Sequence, residues 1–134
     1  GNKPIIYEDG LQTRDFVSVY DIAAANIKVM EDARADYEYF NVGGGRPITV
    51  KDVAIKLAET LGKSIEPEIV NRYRIGDVRH CFADITKIRK TLGFEPRVSF
   101  ESGLRELCGW LEKQKSVDKV EAAQSELQNK GLIV

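Results

Sequence analysis

The chain has 134 residues, enough for one domain, and its 43% hydrophobic and 31% charged residues are typical of a globular protein. Twenty Lys and Arg residues against twenty-one Asp and Glu residues give a formal charge of −1, which disfavours a broad nucleic-acid-binding surface. There is no apolar run near the roughly 20 residues of a membrane span and no signal-peptide pattern, and two cysteines are too few for a disulfide scaffold. We therefore expect a cytoplasmic protein that binds neither nucleic acid nor membranes.

The first part of the chain is predicted to form short strands around one helix. Residues 3–7 are typical of a strand that ends at the Asp9-Gly10 turn, and residues 16–19 form a second extended run. Small and aliphatic residues then recur at helical spacing and predict a helix over about 20–34, with the repeat at Ile22, Ala25, Val29 and Ala33. Residues 37–42 are rich in β-forming side chains and predict a strand that stops at three glycines.

The clearest helix signal lies in the middle of the chain. Thr49 begins a capping pattern, an amphipathic helix follows it, and Gly62 is a natural stop. Residues 65–70 predict a strand. Residues 71–82 have no periodicity and many polar groups, so we predict a loop there.

Three helices are predicted in the last part of the chain. The first is short, capped by Asp84 and closed at Gly93, and the second is capped by Ser99. The third covers residues 117–129. The alternation of strands and helices predicts an α/β fold made mostly of helices, with a few short strands.

The run Gly43-Gly44-Gly45 lies between a predicted strand and a predicted helix, which is the context of a dinucleotide-binding loop. The G-x-G-x-x-G pattern would require a third glycine at the position that Ile48 occupies. Pro47 and Thr49 also place the start of the helix several residues beyond the glycines. The run therefore favours a tight strand-to-helix turn over a pyrophosphate cradle.

Two arginine-bearing segments are more specific candidates for a binding site. Arg14 follows the first turn, whereas Arg74 and Asp77 lie in the aperiodic stretch. A planar guanidinium donates paired hydrogen bonds to phosphate oxygens, so two arginines from separate loops would suit a diphosphate. Asp77, next to a glycine, could accept hydrogen bonds from ribose hydroxyls. Ion pairing among these residues and Asp15 is the alternative, and composition alone favours it.

No residue of the chain has the pattern of a catalytic group. His80 is the single histidine, and its spacing to Cys81 and Cys108 does not fit a zinc site. None of the five tyrosines begins a Tyr-x-x-x-Lys pair, and there is no G-x-S-x-G elbow. We predict neither a catalytic residue nor a metal site in this chain.

Several short motifs run in order across nearly the whole chain: Ile6-Tyr7-Glu8-Asp9-Gly10, Arg14-Asp15-Phe16-Val17, Phe40-Asn41-Val42-Gly43, Arg74-x-Gly76-Asp77, Ala83-Asp84-Ile85 and Leu92-Gly93-Phe94. Together they resemble the carboxy-terminal part of the extended short-chain dehydrogenase/reductase family, the nucleotide-sugar epimerases and dehydratases. The combination is specific although each motif alone is weak. Residues 121–132 are also similar to the tail of dTDP-L-rhamnose 4-epimerase-type members, which is a lead on the substrate.

The resemblance implies a Rossmann-type fold and a role in binding a nucleotide-diphosphate sugar. In the family, the arginines that match Arg14 and Arg74 contact the diphosphate, and the carboxylate that matches Asp77 reaches the ribose. Asn41 matches a position near the bound substrate. The family's cofactor is NAD, which an amino-terminal glycine fingerprint binds, and a Tyr-x-x-x-Lys pair carries out the chemistry. Neither pattern occurs in this chain.

We therefore expect residues 1–134 to be the substrate-binding carboxy-terminal domain of such an enzyme, a fragment that by itself has no turnover and binds no cofactor. Helix faces that would pack on the rest of the sheet predict self-association or a homodimer. The alternatives are a free-standing nucleotide-binding or regulatory module and a protein-interaction domain. The length of the natural gene product separates the module from the enzyme, and light scattering tests the interaction domain.

Overall fold

The computed structural model describes residues 2–115 and 117–133. The helices are α1 (Val19–Glu31), α2 (Val50–Thr60), α3 (Thr86–Leu92), α4 (Phe100–Leu111) and α5 (Val120–Asn129). The strands are β1 (Ile5–Ile6), β2 (Thr13–Asp15), β3 (Pro47–Thr49), β4 (Glu68–Ile69) and β5 (His80–Cys81). The predicted α/β class is confirmed, with helices dominating and short strands. Within these two ranges, each helix is too short or too polar to cross a membrane.

Two small sheets join distant parts of the chain. β1 pairs in parallel with β4, so that Ile5 lies opposite Glu68. β2 is the central strand of the other sheet, antiparallel to β3 and parallel to β5, and Arg14 therefore lies opposite both Ile48 and Cys81. Both sheets bring the segment 5–15 beside residues from the second half of the chain.

The main core lies where α1 and α3 meet the irregular segments around them. Its buried members are Ala25, Ala35, Ile85, Ile88, Leu92 and Phe94. Partly buried side chains surround this cluster, namely Val29, Phe40, Val42 and Ala83. Helix α4 packs against α2 and buries Leu104 and Cys108 on its inner face.

The helix ends that were predicted from Thr49, Ser99 and Gly93 are confirmed. The Thr49 hydroxyl accepts a hydrogen bond from the Asp52 amide at 3.0 Å, and the Ser99 hydroxyl accepts one from the Ser102 amide at 3.2 Å. Gly93 ends α3 in the left-handed conformation, with φ of 65°. The predicted Asp84 cap differs from the structure: Ile85 occupies the cap position of α3 without a side-chain cap, and the Asp84 carboxylate accepts a hydrogen bond from the amide of Thr86, the first residue of the helix.

The predicted strands at 16–19 and 37–42 are wrong. Pairing occurs earlier, over β2, and Ser18 already caps α1 by accepting a hydrogen bond from the Tyr20 amide. Residues 37–42 form no described strand, and Phe40 and Val42 pack against the core. A β-forming composition needs a neighbouring strand to pair with, and that neighbour cannot be deduced from local sequence.

Two further boundaries differ from the predictions. Helix α1 ends at Glu31 because the Asp32 carboxylate accepts a hydrogen bond from the Arg34 amide and caps a separate 3-10 turn, Ala33–Ala35. The predicted loop over 71–82 contains β5, which pairs with β2. An isolated bridge also joins Arg74 in that loop to Ile133 near the end of the chain.

Candidate functional site

An open groove of about 440 Å³ lies where the parallel strands β1 and β4 end. Glu8 and Asp9 follow β1, and the segment 71–74 follows β4. Asp77 and Arg79 complete the lining. Ligands of parallel α/β sheets bind at the carboxyl ends of the strands, so the groove is at the edge where such a site is expected.

The two turns that form this groove hold each other through their backbones. The Glu8 amide donates to the Arg72 carbonyl at 2.6 Å, and the Asn71 amide donates to the Glu8 carbonyl at 3.1 Å. Glu8 and Asn71 both have left-handed backbone conformations, with φ of 55° and 52°. Non-glycine residues in this conformation cost on the order of 1 kcal/mol each, and such residues cluster at functional sites.

The groove contains equal numbers of positive and negative side chains. Its arginines are Arg72, Arg74 and Arg79, and its carboxylates are Glu8, Asp9 and Asp77. Arg79 donates to Glu8 at 2.6 Å and to Asp9 at 2.8 Å. Arg74 and Asp77 lie 2.7 Å apart, and the ion pairs formed by the described residues do not include Arg72. Within residues 2–115 and 117–133, the groove therefore holds one arginine, Arg72, that is not paired with a carboxylate.

Arg74 also lies over the face of an aromatic ring, that of Tyr7. Its guanidinium carbon lies 5.3 Å from the centroid of the Tyr7 ring. A cation over an aromatic face is stabilised by roughly 0.5–1 kcal/mol when it is exposed to solvent. The Tyr7 ring and the Asp77 carboxylate together orient the Arg74 guanidinium in the groove.

The structure brings together only part of the predicted site. Arg74 and Asp77 line the groove and contact each other. Arg14 lies behind it, where its Nη1 donates to the carbonyls of Thr13 at 2.8 Å and Arg79 at 3.1 Å. Arg14 thus supports the backbone of a groove residue. Asn41 is exposed but is not one of the groove-lining residues.

The glycine run is a tight turn that packs on Asp15. The Asp15 carboxylate accepts hydrogen bonds from the amides of Gly44 at 2.7 Å and Ala83 at 3.0 Å. A Cβ on Gly43 would lie 2.1 Å from an Asp15 oxygen, so glycine is required for this close approach. Because the Gly44 amide is already bound to Asp15, this turn does not fit the pyrophosphate of NAD. The alternative of ion pairing is confirmed for Arg74 and Asp77, whereas the ion pairs between described residues include neither Arg14 nor Asp15.

Four charged groove residues were not predicted as site residues: Glu8, Asp9, Arg72 and Arg79. All four lie in or near motifs quoted above, but the parallel pairing of β1 with β4 is what brings them to Arg74. A strand of two residues carries too little pattern for that pairing to be predicted. Across residues 2–115 and 117–133, no group of three or more His, Cys, Asp or Glu side chains could hold a metal ion.

The ion pair between Asp9 and Arg79 makes a prediction about pH. The hydrogen bond from Arg79, followed by that from the Leu11 amide, holds the pKa of Asp9 below its usual range. Such a carboxyl stabilises the fold above its unfolded pKa, and the contribution is lost as the pH falls through the lower, folded pKa. We expect Arg79→Gln to raise the pKa of Asp9, measured by carbon-detected NMR titration. Arg89→Gln, which breaks the pair with Glu95 elsewhere, is the control, and an unchanged Asp9 titration in Arg79→Gln would contradict the prediction.

A second groove, of about 540 Å³, is apolar and lies between α2, α4 and the start of α1. Large hydrophobic side chains are exposed along it, including Val19, Tyr20, Leu107 and Trp110. Exposed apolar surface of this kind is the physical reason for the self-association expected from the sequence. The oligomeric state stays a prediction.

Solved structures with a similar fold are nucleotide-sugar enzymes. A UDP-glucose 4-epimerase from Thermotoga maritima, solved with UDP-glucose, is 39% identical with a TM-score of 0.72, over 83% of this chain and 35% of that one. A dTDP-glucose 4,6-dehydratase from Bacillus anthracis, solved with NAD, is 31% identical with a TM-score of 0.69, over 84% and 35%. The fold is therefore that of a Rossmann-type epimerase or dehydratase, as the motifs predicted.

The family follows from the sequence match. A family model described as GDP-mannose 4,6 dehydratase matches residues 1–107. The chain belongs to this family of extended short-chain dehydrogenases/reductases, and the predicted resemblance is confirmed. Among curated relatives, a dTDP-L-rhamnose 4-epimerase from Burkholderia thailandensis is 35% identical over 109 residues, which are 81% of this chain and 30% of that protein. The chain thus spans about a third of the length of the relatives it matches.

Proposed function

We propose that this chain is the nucleotide-diphosphate-sugar-binding part of an NAD-dependent epimerase or dehydratase, with no turnover of its own. The observation that carries the proposal is the groove at the carboxyl ends of β1 and β4, with Arg74 oriented between Tyr7 and Asp77. Arg72 and Arg74 would bind the diphosphate, Asp77 would accept hydrogen bonds from the ribose, and Arg14 would hold the Arg79 backbone.

The existing ion pair of Arg74 does not prevent phosphate binding. Its partners are 45% and 34% exposed, and an exposed pair of this kind contributes about 0–1 kcal/mol. A hydrogen bond between charged groups contributes roughly 1.5–3 kcal/mol, and a guanidinium can make two at once. A diphosphate therefore competes successfully with Asp77 for Arg74, and Arg72 adds a positive charge that is not paired with any carboxylate of the described residues.

The role of the groove in the complete enzyme would be to bind the substrate through groups that are distant from its reacting sugar. Contacts to phosphate and ribose are remote from the sugar carbon, and remote binding energy is used to orient the reacting group. The glycine turn of this chain does not fit NAD, so the proposal places NAD on the remainder of the enzyme. The UDP-glucose in one solved relative and the NAD in another support the presence of both ligands in the complete enzyme.

The proposal predicts that affinity depends on the phosphates. Calorimetric titration of the chain with uridine, UMP and UDP should give the strongest binding with UDP, by at least about tenfold over uridine. Binding of UDP should weaken as the salt concentration rises, because the contacts are between charges near the surface. Parallel titrations with dTDP and GDP compare the bases.

Two results would overturn the proposal. One is the absence of UDP binding at protein concentrations of about 1 mM, which corresponds to less than about 4 kcal/mol of binding free energy. The other is equal affinity for uridine and UDP, since a site built on arginines should bind the charged diphosphate more tightly than the uncharged nucleoside.

A further inference from the structure

The loop that carries Arg74 is poorly supported by its own part of the chain. Residues 71–82 are exposed at every position. The Asp77 amide donates to the Arg74 carbonyl within the loop at 3.1 Å, which closes a local turn. Short exposed loops of this kind open at little cost unless another segment holds them.

The end of the chain provides that support. The Ile75 amide donates to the Leu132 carbonyl at 2.9 Å, and Arg74 forms a β-bridge with Ile133. Among the described residues, this is the backbone hydrogen bond that joins residues 73–78 to another segment. Leu132 and Ile133 are half-buried, in contrast to the exposed loop that they contact.

The direction of this tail is determined by a Schellman motif at the end of α5. The Leu132 amide donates to the Leu127 carbonyl and the Gly131 amide to the Gln128 carbonyl, both at 2.9 Å. Gly131 has φ of 64°, which only glycine and asparagine adopt readily. At the other end of this segment, the Asn2 side chain donates to the Asp118 carboxylate at 3.1 Å.

We propose that α5 and the residues Leu132–Ile133 form a strap that positions the Arg74 loop for the diphosphate. The inference rests on the function proposed above and extends it, because the strap lies beyond residues 1–107, the part that the family model matches. Leu132 and Ile133 act as positioning residues: they touch the loop backbone and leave the Arg74 guanidinium free to bind.

A matched pair of glycines tests the strap. Gly62 ends α2 with the same motif as Gly131, and its φ is 62°. The Gly62 amide donates a hydrogen bond to the Glu59 carbonyl, and the Lys63 amide donates one to the Ala58 carbonyl. A Cβ at either glycine would meet no atom within 4 Å, so a valine strains both backbones without crowding at its Cβ. Only Gly131→Val should release the tail from the Arg74 loop.

The first measurement is hydrogen exchange at the Ile75 amide, which does not depend on a ligand. We expect it to exchange about tenfold faster or more in Gly131→Val and in a chain ending at Lys130, but not in Gly62→Val. UDP affinity should fall about two- to tenfold in the same two variants, as expected when one more flexible segment must be ordered on binding. Gly131→Asn should restore both values, because asparagine tolerates the left-handed conformation.

The outcomes distinguish the two proposals. Unchanged Ile75 exchange in the chain ending at Lys130 overturns the strap alone. The strap alone also fails if the chain ending at Lys130 binds UDP as tightly as the unmodified chain while Arg74→Ala weakens UDP binding. If the unmodified chain does not bind UDP, the proposed function fails, and faster Ile75 exchange in Gly131→Val would still support the strap as the element that positions the loop.

Discussion

Replacing Gly43 with alanine is expected to lower the free energy of unfolding by about 2–3 kcal/mol, the usual cost of overpacking a buried site. The new Cβ would lie 2.1 Å from an Asp15 carboxylate oxygen and 2.7 Å from the Ala83 Cβ. The Asp15 side chain cannot move away cheaply, because its two oxygens hold the amides of Gly44 and Ala83. Urea denaturation followed by circular dichroism measures the change.

A double-mutant cycle connects this loss to Asp15. Asp15→Ala alone should cost about 1–3 kcal/mol, because it leaves two backbone amides without their acceptor. In the Asp15→Ala background the Gly43→Ala change should cost less, with a coupling energy in the range of about 0.5–3 kcal/mol. Gly109→Ala in α4 is the control: it has open space and should raise stability by roughly 0.5–1 kcal/mol. Identical costs of Gly43→Ala in both backgrounds would refute the packing described for the turn.

The second large effect is expected at Ile88, which is 0% exposed in the core between α1 and α3. Ile88→Ala should lower the free energy of unfolding by about 2–5 kcal/mol, because it removes buried methylene groups and leaves a cavity. Ile88→Val should cost only about 0.5–1.5 kcal/mol. Both values are measured by urea denaturation, and the slope of the unfolding free energy against urea concentration should not change.

Ile27 provides the matched control for Ile88. It lies on α1 and is 55% exposed, so Ile27→Ala should change stability by less than about 0.5 kcal/mol. If the changes at Ile88 and Ile27 cost the same, the core is not where the structure places it. The same core contacts the glycine turn, since a Cβ on Gly45 would lie 2.9 Å from the side chain of the core residue Ile85.

Features that depend on a few neighbouring residues were predictable from the sequence. The start of α2 follows from Thr49 and that of α4 from Ser99, and the end of α3 follows from Gly93. The contact between Arg74 and Asp77 spans three positions and was anticipated as the alternative to phosphate binding. Capping and short-range ion pairs act within one turn, so the local sequence contains all of their partners.

Features that depend on distant partners were not predictable. The predicted strands at 16–19 and 37–42 have suitable composition. Pairing with β3 and β5 instead places the strand near the first of these runs at Thr13–Asp15. Glu8 and Asp9 reach the groove only through the pairing of β1 with β4, and Leu132 reaches Ile75 from the far end of the chain. The motifs shared with the family predicted Arg74 and Asp77 as site residues, and both line the groove, but the motifs did not reveal which other residues surround them.

The binding of UDP by the chain and by its Arg74→Ala variant tests the central claim most directly. Calorimetry should show that Arg74→Ala weakens UDP binding by about 10- to 100-fold, the loss of one or two hydrogen bonds between charged groups. Arg34→Ala is the matched control, because Arg34 also pairs with a nearby aspartate, Asp32, but does not line the groove. Its UDP affinity should equal that of the unmodified chain. Equal affinities in Arg74→Ala and Arg34→Ala would contradict the assignment of the groove as the diphosphate site.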